Sequence, residues 1–384
     1  MLIYVPGLGR SSENTADTVA DVVAKALDVQ DSAIKYTAVA SDNVVTPIGL
    51  TVSKTIVDPD HTPVLQLFQL NYRSVLDAST TEFAPSVGPG AVKAAALAVV
   101  GGLMWVPAFL RPAKTLRTKM QLALGFLLFG ILVFAALVAI TALLAALDLG
   151  WLEKRFPDWE WWNKLFGNEG DLPKWTLGVS ALGLTILWPA LRKEILALAA
   201  LAESLIRFVK NQDVLADTIS KRLDHAINAL TDGGWTGPIH LLGYSFGSLV
   251  IYDAMFPRET ALFGDVPAKA VTSMTTIGCP LDLVRLYAPE YVDGRVERRP
   301  GLAWVNVFNQ ADIFASNLKD GDDKTAGGHG KLVVGTCDPE SLRYLNERIS
   351  WNILLSGRIH TRYWRSPDVG NCFDPLVGRW VTRP

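Results

Sequence analysis

Residues 239–255 read Ile-His-Leu-Leu-Gly-Tyr-Ser-Phe-Gly-Ser-Leu-Val-Ile-Tyr-Asp-Ala-Met. Two apolar runs meet across a single turn, Gly243-Tyr244-Ser245-Phe246-Gly247. The first is short and apolar apart from His240, as a strand buried on both faces is, and the second reads as a helix. A chain that passes from a buried strand to a buried helix with so little loop belongs in a parallel α/β sheet. A residue on such a turn sits in strained backbone geometry, with its side chain held above the sheet edge. Gly243 and Gly247 are read as the positions where helix and strand come too close for a side chain. The helix that follows aims its first N–H groups at Ser245, which suits a negative charge developing there.

The chain around this turn repeats the α/β theme. "LIYV" at 2–5 reads as a buried strand that ends in a tight Pro-Gly loop. Residues 14–28 put Val19, Val22, Val23 and Leu27 on one helical face. Residues 34–39 and 51–57 alternate and are β-branched, the pattern of a hairpin, and 64–70 is a further buried-strand pattern. Residues 194–231 are read as helical, with Leu198, Leu201, Leu205, Phe208 and Val209 on one side. Residues 270–278 and 302–308 are read as the two strands after Ser245.

A serine hydroxyl is a weak nucleophile until a base takes its proton and an acid orients the base. There are five histidines. His240 lies within the strand that leads to Ser245, His225 lies on an upstream helix, and His61 lies in an early loop. His329, in "AGGHGK", and His360, in "GRIHTRYW", remain as candidate bases. Asp312 follows the 302–308 strand and so falls on the same sheet edge as Ser245. Asp282, after the previous strand, is the second candidate acid.

Four segments together, "YVPGLG" at 4–9, "GYSFG" at 243–247, "VFNQAD" at 307–312 and "HTRYW" at 360–364, resemble the α/β-hydrolases of the serine lipase and esterase type. The resemblance spans roughly 1–75 and 200–384. It implies a mostly parallel sheet with helices on both faces and a triad in the chain order serine, acid, histidine. Ser245, Asp312 and His360 match that order. His360 follows Asp312 by 48 positions, whereas His329 follows it by only 17 and ranks as the alternative base. The family's oxyanion hole carries over to the backbone N–H groups of Phe246 and Leu8. Here Pro6 stands where family members often carry histidine, and "LIYV" begins too early for the family's first antiparallel strands. The 34–57 hairpin is expected to cover that edge of the sheet.

Residues 94–193 stand outside the resemblance and divide the chain into 1–93, 94–193 and 194–384. Leu122 to Leu147 is a run of 26 residues with no charge, long enough to span a bilayer core. Uncharged runs of 17 residues lie on either side, at 94–110 and 175–191. Tryptophans at 151, 159, 161, 162, 175 and 188 match an interfacial aromatic belt. The two flanking halves share one sheet, so the chain must cross a membrane an even number of times. Arg111, Lys114, Arg117 and Lys119 precede the long run, and Arg192 and Lys193 follow the last one. Basic flanks stay on the cytoplasmic side. The expectation is a multi-pass protein with two spans, 122–147 and 175–191, a cytoplasmic hydrolase domain, and 94–110 lying in the interface.

The net charge of −2 gives no basic face for nucleic acid. Cys279, Cys337 and Cys372 form no metal-ligand pattern and are expected as free thiols. The first ten residues lack the basic start of a signal peptide. The function expected is hydrolysis of acyl esters, lipid or otherwise amphiphilic, through a Ser245 acyl-enzyme with no metal or cofactor. Acyl transfer and thioester cleavage use the same triad, and an inactive membrane scaffold of this fold is the non-enzymatic alternative.

Overall fold

The structure is a computed structural model. It describes residues 1–76, 204–258 and 269–343, leaving aside 9–15, 41–48, 211–213, 320–331 and a few single positions, and also 360, 363–364 and 372–381. One compact unit gathers Met1–Ser79, Leu110–Leu122 and Leu205–Pro384. A second, Thr80–Phe109 with Ala123–Ser204, lies outside the described residues except for Ser204. The expected spans 122–147 and 175–191, and the interfacial run 94–110, also lie outside them. No described helix is long and apolar enough to cross a membrane.

The eight described strands form one sheet: β1 (Leu2–Val5), β2 (Thr37–Ala40), β3 (Leu50–Val57), β4 (Pro63–Leu70), β5 (Ile239–Tyr244), β6 (Val271–Ile277), β7 (Ala303–Phe308) and β8 (Glu340–Arg343). Their order is β2-β3-β4-β1-β5-β6-β7-β8. The pairs from β4 through β8 are all parallel, and β2–β3 and β3–β4 are antiparallel. The described helices include α1 (Ala16–Gln30), α2 (Leu215–Asp232), α3 (Phe246–Met255), α4 (Leu281–Tyr287) and α5 (Val377–Trp380).

Strand alternation divides the apolar residues between two cores, one on each face. Ile3, Val5, Ile239 and Leu241 point into the core that holds α2 and α3. Leu2, Tyr4, Leu242 and Tyr244 point into the one that holds α1 and α5. The central strands are covered on both sides, which is why 2–5 and 239–244 are buried at every step and apolar at nearly all of them, His240 excepted. The fold is thus α/β, a mostly parallel mixed sheet with helices on both faces.

The hairpin of β2 and β3 closes one edge of this sheet, the position expected of it. Within the 194–231 segment, read as helical, residues 204–205, 207–209 and 215–231 are helical, and 194–203 lie outside the described residues. Val214 takes the left-handed conformation (φ 55°), so α2 starts afresh at Leu215 rather than continuing an upstream helix. β8 carries the sequence Glu-Ser-Leu-Arg, whose lack of apolar periodicity hid it from the sequence reading.

Strands β1 and β5 are neighbours, yet the chain leaves them toward opposite faces. After β1 it runs to α1 in one core, and after β5 it enters α3 in the other. Such a divergence opens a crevice at the carboxyl ends of the two strands, the usual ligand position in an open α/β sheet. Pro6-Gly7-Leu8 and Ser245 both lie there.

Candidate active site

Ser245 lies between β5 and α3 with φ 54° and ψ −119°, a conformation that few side-chain-bearing residues adopt. Its amide N–H donates to the Ile277 carbonyl at 2.8 Å, and its carbonyl accepts from the Ser248 amide at 2.9 Å. The two flanking glycines are required by space. A Cβ on Gly247 would stand 2.0 Å from the Val5 carbonyl oxygen, and one on Gly243 would stand 2.7 Å from the Gly247 oxygen and from the Ser248 Cα. The helix can sit this close to β1 and β5 only with bare backbone at both positions.

The structure brings Ser245, His360 and Asp312 together. The His360 ring lies between the other two, with Nε2 2.7 Å from Ser245 Oγ and Nδ1 2.8 Å from Asp312 Oδ2. Asp312 is buried in the loop after β7. Its Oδ1 accepts the Phe314 amide at 3.0 Å, and its Oδ2 accepts the Tyr363 hydroxyl at 2.9 Å. Burial pushes the Asp312 carboxyl up. The charge and N–H of His360, the Tyr363 hydroxyl and the Phe314 amide together outweigh that and hold it below the usual carboxylate range. An ionised carboxylate can only accept, so the His360 hydrogen sits on Nδ1 and Nε2 is left to accept the Ser245 hydroxyl.

Aromatic side chains hold the imidazole in place. Tyr244 stacks on it, with centroids 5.6 Å apart and planes at 26°, and its hydroxyl donates to the His360 carbonyl. Phe314 meets the ring edge-on at 5.3 Å. Gly278, at φ 59°, ends β6 directly beneath. A Cβ there would stand 3.0 Å from Tyr363 Cε2 and 3.3 Å from His360 Cε1. The sequence reading did not single out Tyr244, Gly278, Phe314 or Tyr363. The first and last lie inside the motifs "GYSFG" and "HTRYW" that it did use, but the pattern carries no sign of which partner each meets.

Gly7 faces the serine from the opposite side, since a Cβ on it would stand 3.1 Å from Ser245 Cβ. The buried Tyr72 hydroxyl donates to the Pro6 carbonyl at 2.6 Å and so fixes the peptide plane that enters the 6–8 loop. Leu8, half-buried, packs against the core beside this loop. Phe246 is the first residue of α3, so its N–H has no partner within the helix. Phe246 itself packs between Phe208, at 4.9 Å, and Tyr72, at 5.9 Å.

Asp282 lies in the first turn of α4, buried, where its amide donates to Ser316 Oγ at 2.6 Å and its Oδ1 pairs with Arg285 at 3.5 Å. It is Asp312 that the His360 ring meets. His329 lies outside the described residues. His240 is buried within β5, with Nδ1 2.8 Å from Ser273 Oγ. Cys279, Cys337 and Cys372 are free and buried. Among the described residues no group of His, Cys, Asp or Glu could hold a metal ion. Comparison with protein families, with curated proteins and with solved structures found no match to this chain.

Proposed function

We propose that this chain is a serine hydrolase of the α/β-hydrolase kind, attached to a membrane, which cleaves acyl esters of amphiphilic substrates through a covalent intermediate on Ser245. The observation that carries this reading is the His360 ring, within 2.8 Å of both Ser245 Oγ and Asp312 Oδ2, beside a serine held at φ 54°. The sheet is in keeping with it, since its strands from β4 through β8 run parallel and Ser245 leaves the carboxyl end of a central one.

His360 Nε2 takes the Ser245 proton as Oγ attacks the acyl carbonyl carbon. The carbonyl oxygen becomes an oxyanion, stabilised by the N–H groups of Phe246 and Leu8, and each such donor contributes about 3 kcal/mol to the transition state. The imidazolium then protonates the leaving alcohol as the C–O bond breaks, leaving the acyl group on Ser245. Water, deprotonated by His360, attacks the acyl-enzyme and releases the acid, and the proton returns to Ser245. Asp312 keeps the hydrogen on His360 Nδ1 throughout and stabilises the imidazolium.

Ser245→Ala is expected to lower turnover of a p-nitrophenyl acyl ester by at least about 10⁴-fold and to abolish labelling by a fluorophosphonate probe, with folding unchanged by circular dichroism. Full activity in that variant would overturn the assignment. The membrane part of the proposal rests on the 26 uncharged residues of 122–147 and their basic flank.

A further inference from the structure

We infer that Tyr363 is a positioning residue of this site, a phenol that shares Asp312 Oδ2 with His360 and thereby sets how strongly the carboxylate grips the imidazole. The inference rests on the serine-hydrolase reading and adds a fourth member to its hydrogen-bonded chain.

Tyr363 is fully buried. Its oxygen accepts the Asn309 amide at 3.0 Å, and its hydrogen goes to Asp312 Oδ2 at 2.9 Å. The oxygen it reaches is the one that accepts His360 Nδ1–H at 2.8 Å. A hydroxyl that filled space in the core could have met Oδ1, which already serves the Phe314 amide. Placed on Oδ2, it competes with the imidazole for the same negative charge. The order of donation runs Asn309 N–H to Tyr363 to Asp312, so the backbone after β7 aims the phenol. Burial, followed by the Asp312 charge, keeps the phenol protonated far above its ordinary range, and it donates throughout the working pH.

Removing that hydroxyl acts through the charge of the carboxylate. With the His360 and Phe314 N–H groups still on it, Asp312 stays ionised, and its undivided charge stabilises the imidazolium more strongly. The free-base imidazole that accepts the serine proton is then lost at a higher pH. Among the described residues, Tyr244 of β5 also faces the pair; it stacks on the His360 ring and donates to its carbonyl rather than to the carboxylate. Tyr363 lies 6.5 Å from the imidazole centroid, edge to face, so its influence passes through Asp312.

The test measures the rate of covalent labelling by a fluorophosphonate between about pH 5 and 9. Tyr363→Phe is expected to move the acid limb of the profile upward by roughly half to one pH unit and to lower the plateau roughly tenfold. Tyr244→Phe removes a hydroxyl from the same cluster without touching the carboxylate and is expected to lower the rate with the acid limb in place. Fluorotyrosine at 363, a stronger donor of nearly the same size, is expected to move the limb downward, and it decides the matter should the phenylalanine variant not fold. An unmoved acid limb in the 363 variants, or a limb that follows Tyr244→Phe instead, overturns the inference. Wild-type protein that the probe does not label at Ser245 overturns the hydrolase reading itself, a separate outcome.

Discussion

Among single residues, Ser245 and His240 show how the sheet treats polar groups in opposite ways. Ser245 is lifted out of the β5 ladder, and its strained backbone holds because the Ile277 and Ser248 bonds grip it from both ends. His240, five positions earlier, is kept inside. Burial lowers its pKa to about 4, so it is neutral in the fold. The unfolded chain binds a proton below about 6.5, while the folded chain does so only near 4. Stability from this group is therefore complete above that ordinary value and falls as pH drops toward 4. The loss is about 3 kcal/mol, with most of it expected between pH 6 and 4.5. Urea titrations across that range are expected to show the decline in wild type and a flatter curve in His240→Gln; equal slopes would contradict it. Ser245, Gly243 and Gly247 are legible in the sequence because an elbow is local. Tyr363 is not, because its partner lies 51 positions away, and no spacing rule says that a phenol three residues after a histidine turns back to a carboxylate.

Among elements, α3 is held to its neighbours by charge as well as by apolar packing. Asp253, near its end, accepts from Ser220 of α2 at 3.1 Å and pairs with Arg295 at 2.5 Å, with the arginine side chain only 1% exposed. The guanidinium also lies over the Tyr291 ring at 4.3 Å. Removing one member of such a pair leaves the other charged and buried. Asp253→Ala is expected to lower stability by about 3 to 5 kcal/mol, read from denaturant midpoints, with the Ser245 labelling rate unchanged in the protein that remains folded. A loss below about 1 kcal/mol would mean that the pair is solvated. Strands β1, β4, β5 and β7 are readable from their largely apolar runs because each is covered on at least one face by a core, and β6 from its β-branched residues. The short edge strand β8 and the four-residue α5 carry too little pattern, and the break at Val214 depends on a backbone conformation that valine rarely takes.

At the scale of the whole molecule, the two ends of the chain build one sheet, and the segment between them carries the apolar runs. If 122–147 and 175–191 cross a bilayer, residues 151–174 lie on the side of it opposite to both flanking halves of the chain. Single cysteines placed there are expected to react with an impermeant maleimide added from outside, whereas labelling from the cytoplasmic side only would exclude the two-span arrangement. The sheet order could not be read from the sequence, which suggests neighbours along the chain and gives no sign that β1 ends up between β4 and β5. That placement has a consequence for synthesis. Leu2–Val5 bonds on one side to Leu67–Gln69 and on the other to His240–Gly243. The gap from Leu70 to Ile239 is 239 − 70 = 169 positions. At 5–20 residues per second a ribosome needs roughly ten to thirty seconds to cross it. Any sheet the newborn N-terminal strands form in that interval would leave β1 with a row of unpaired N–H and C=O groups, an open template for strand pairing with other chains.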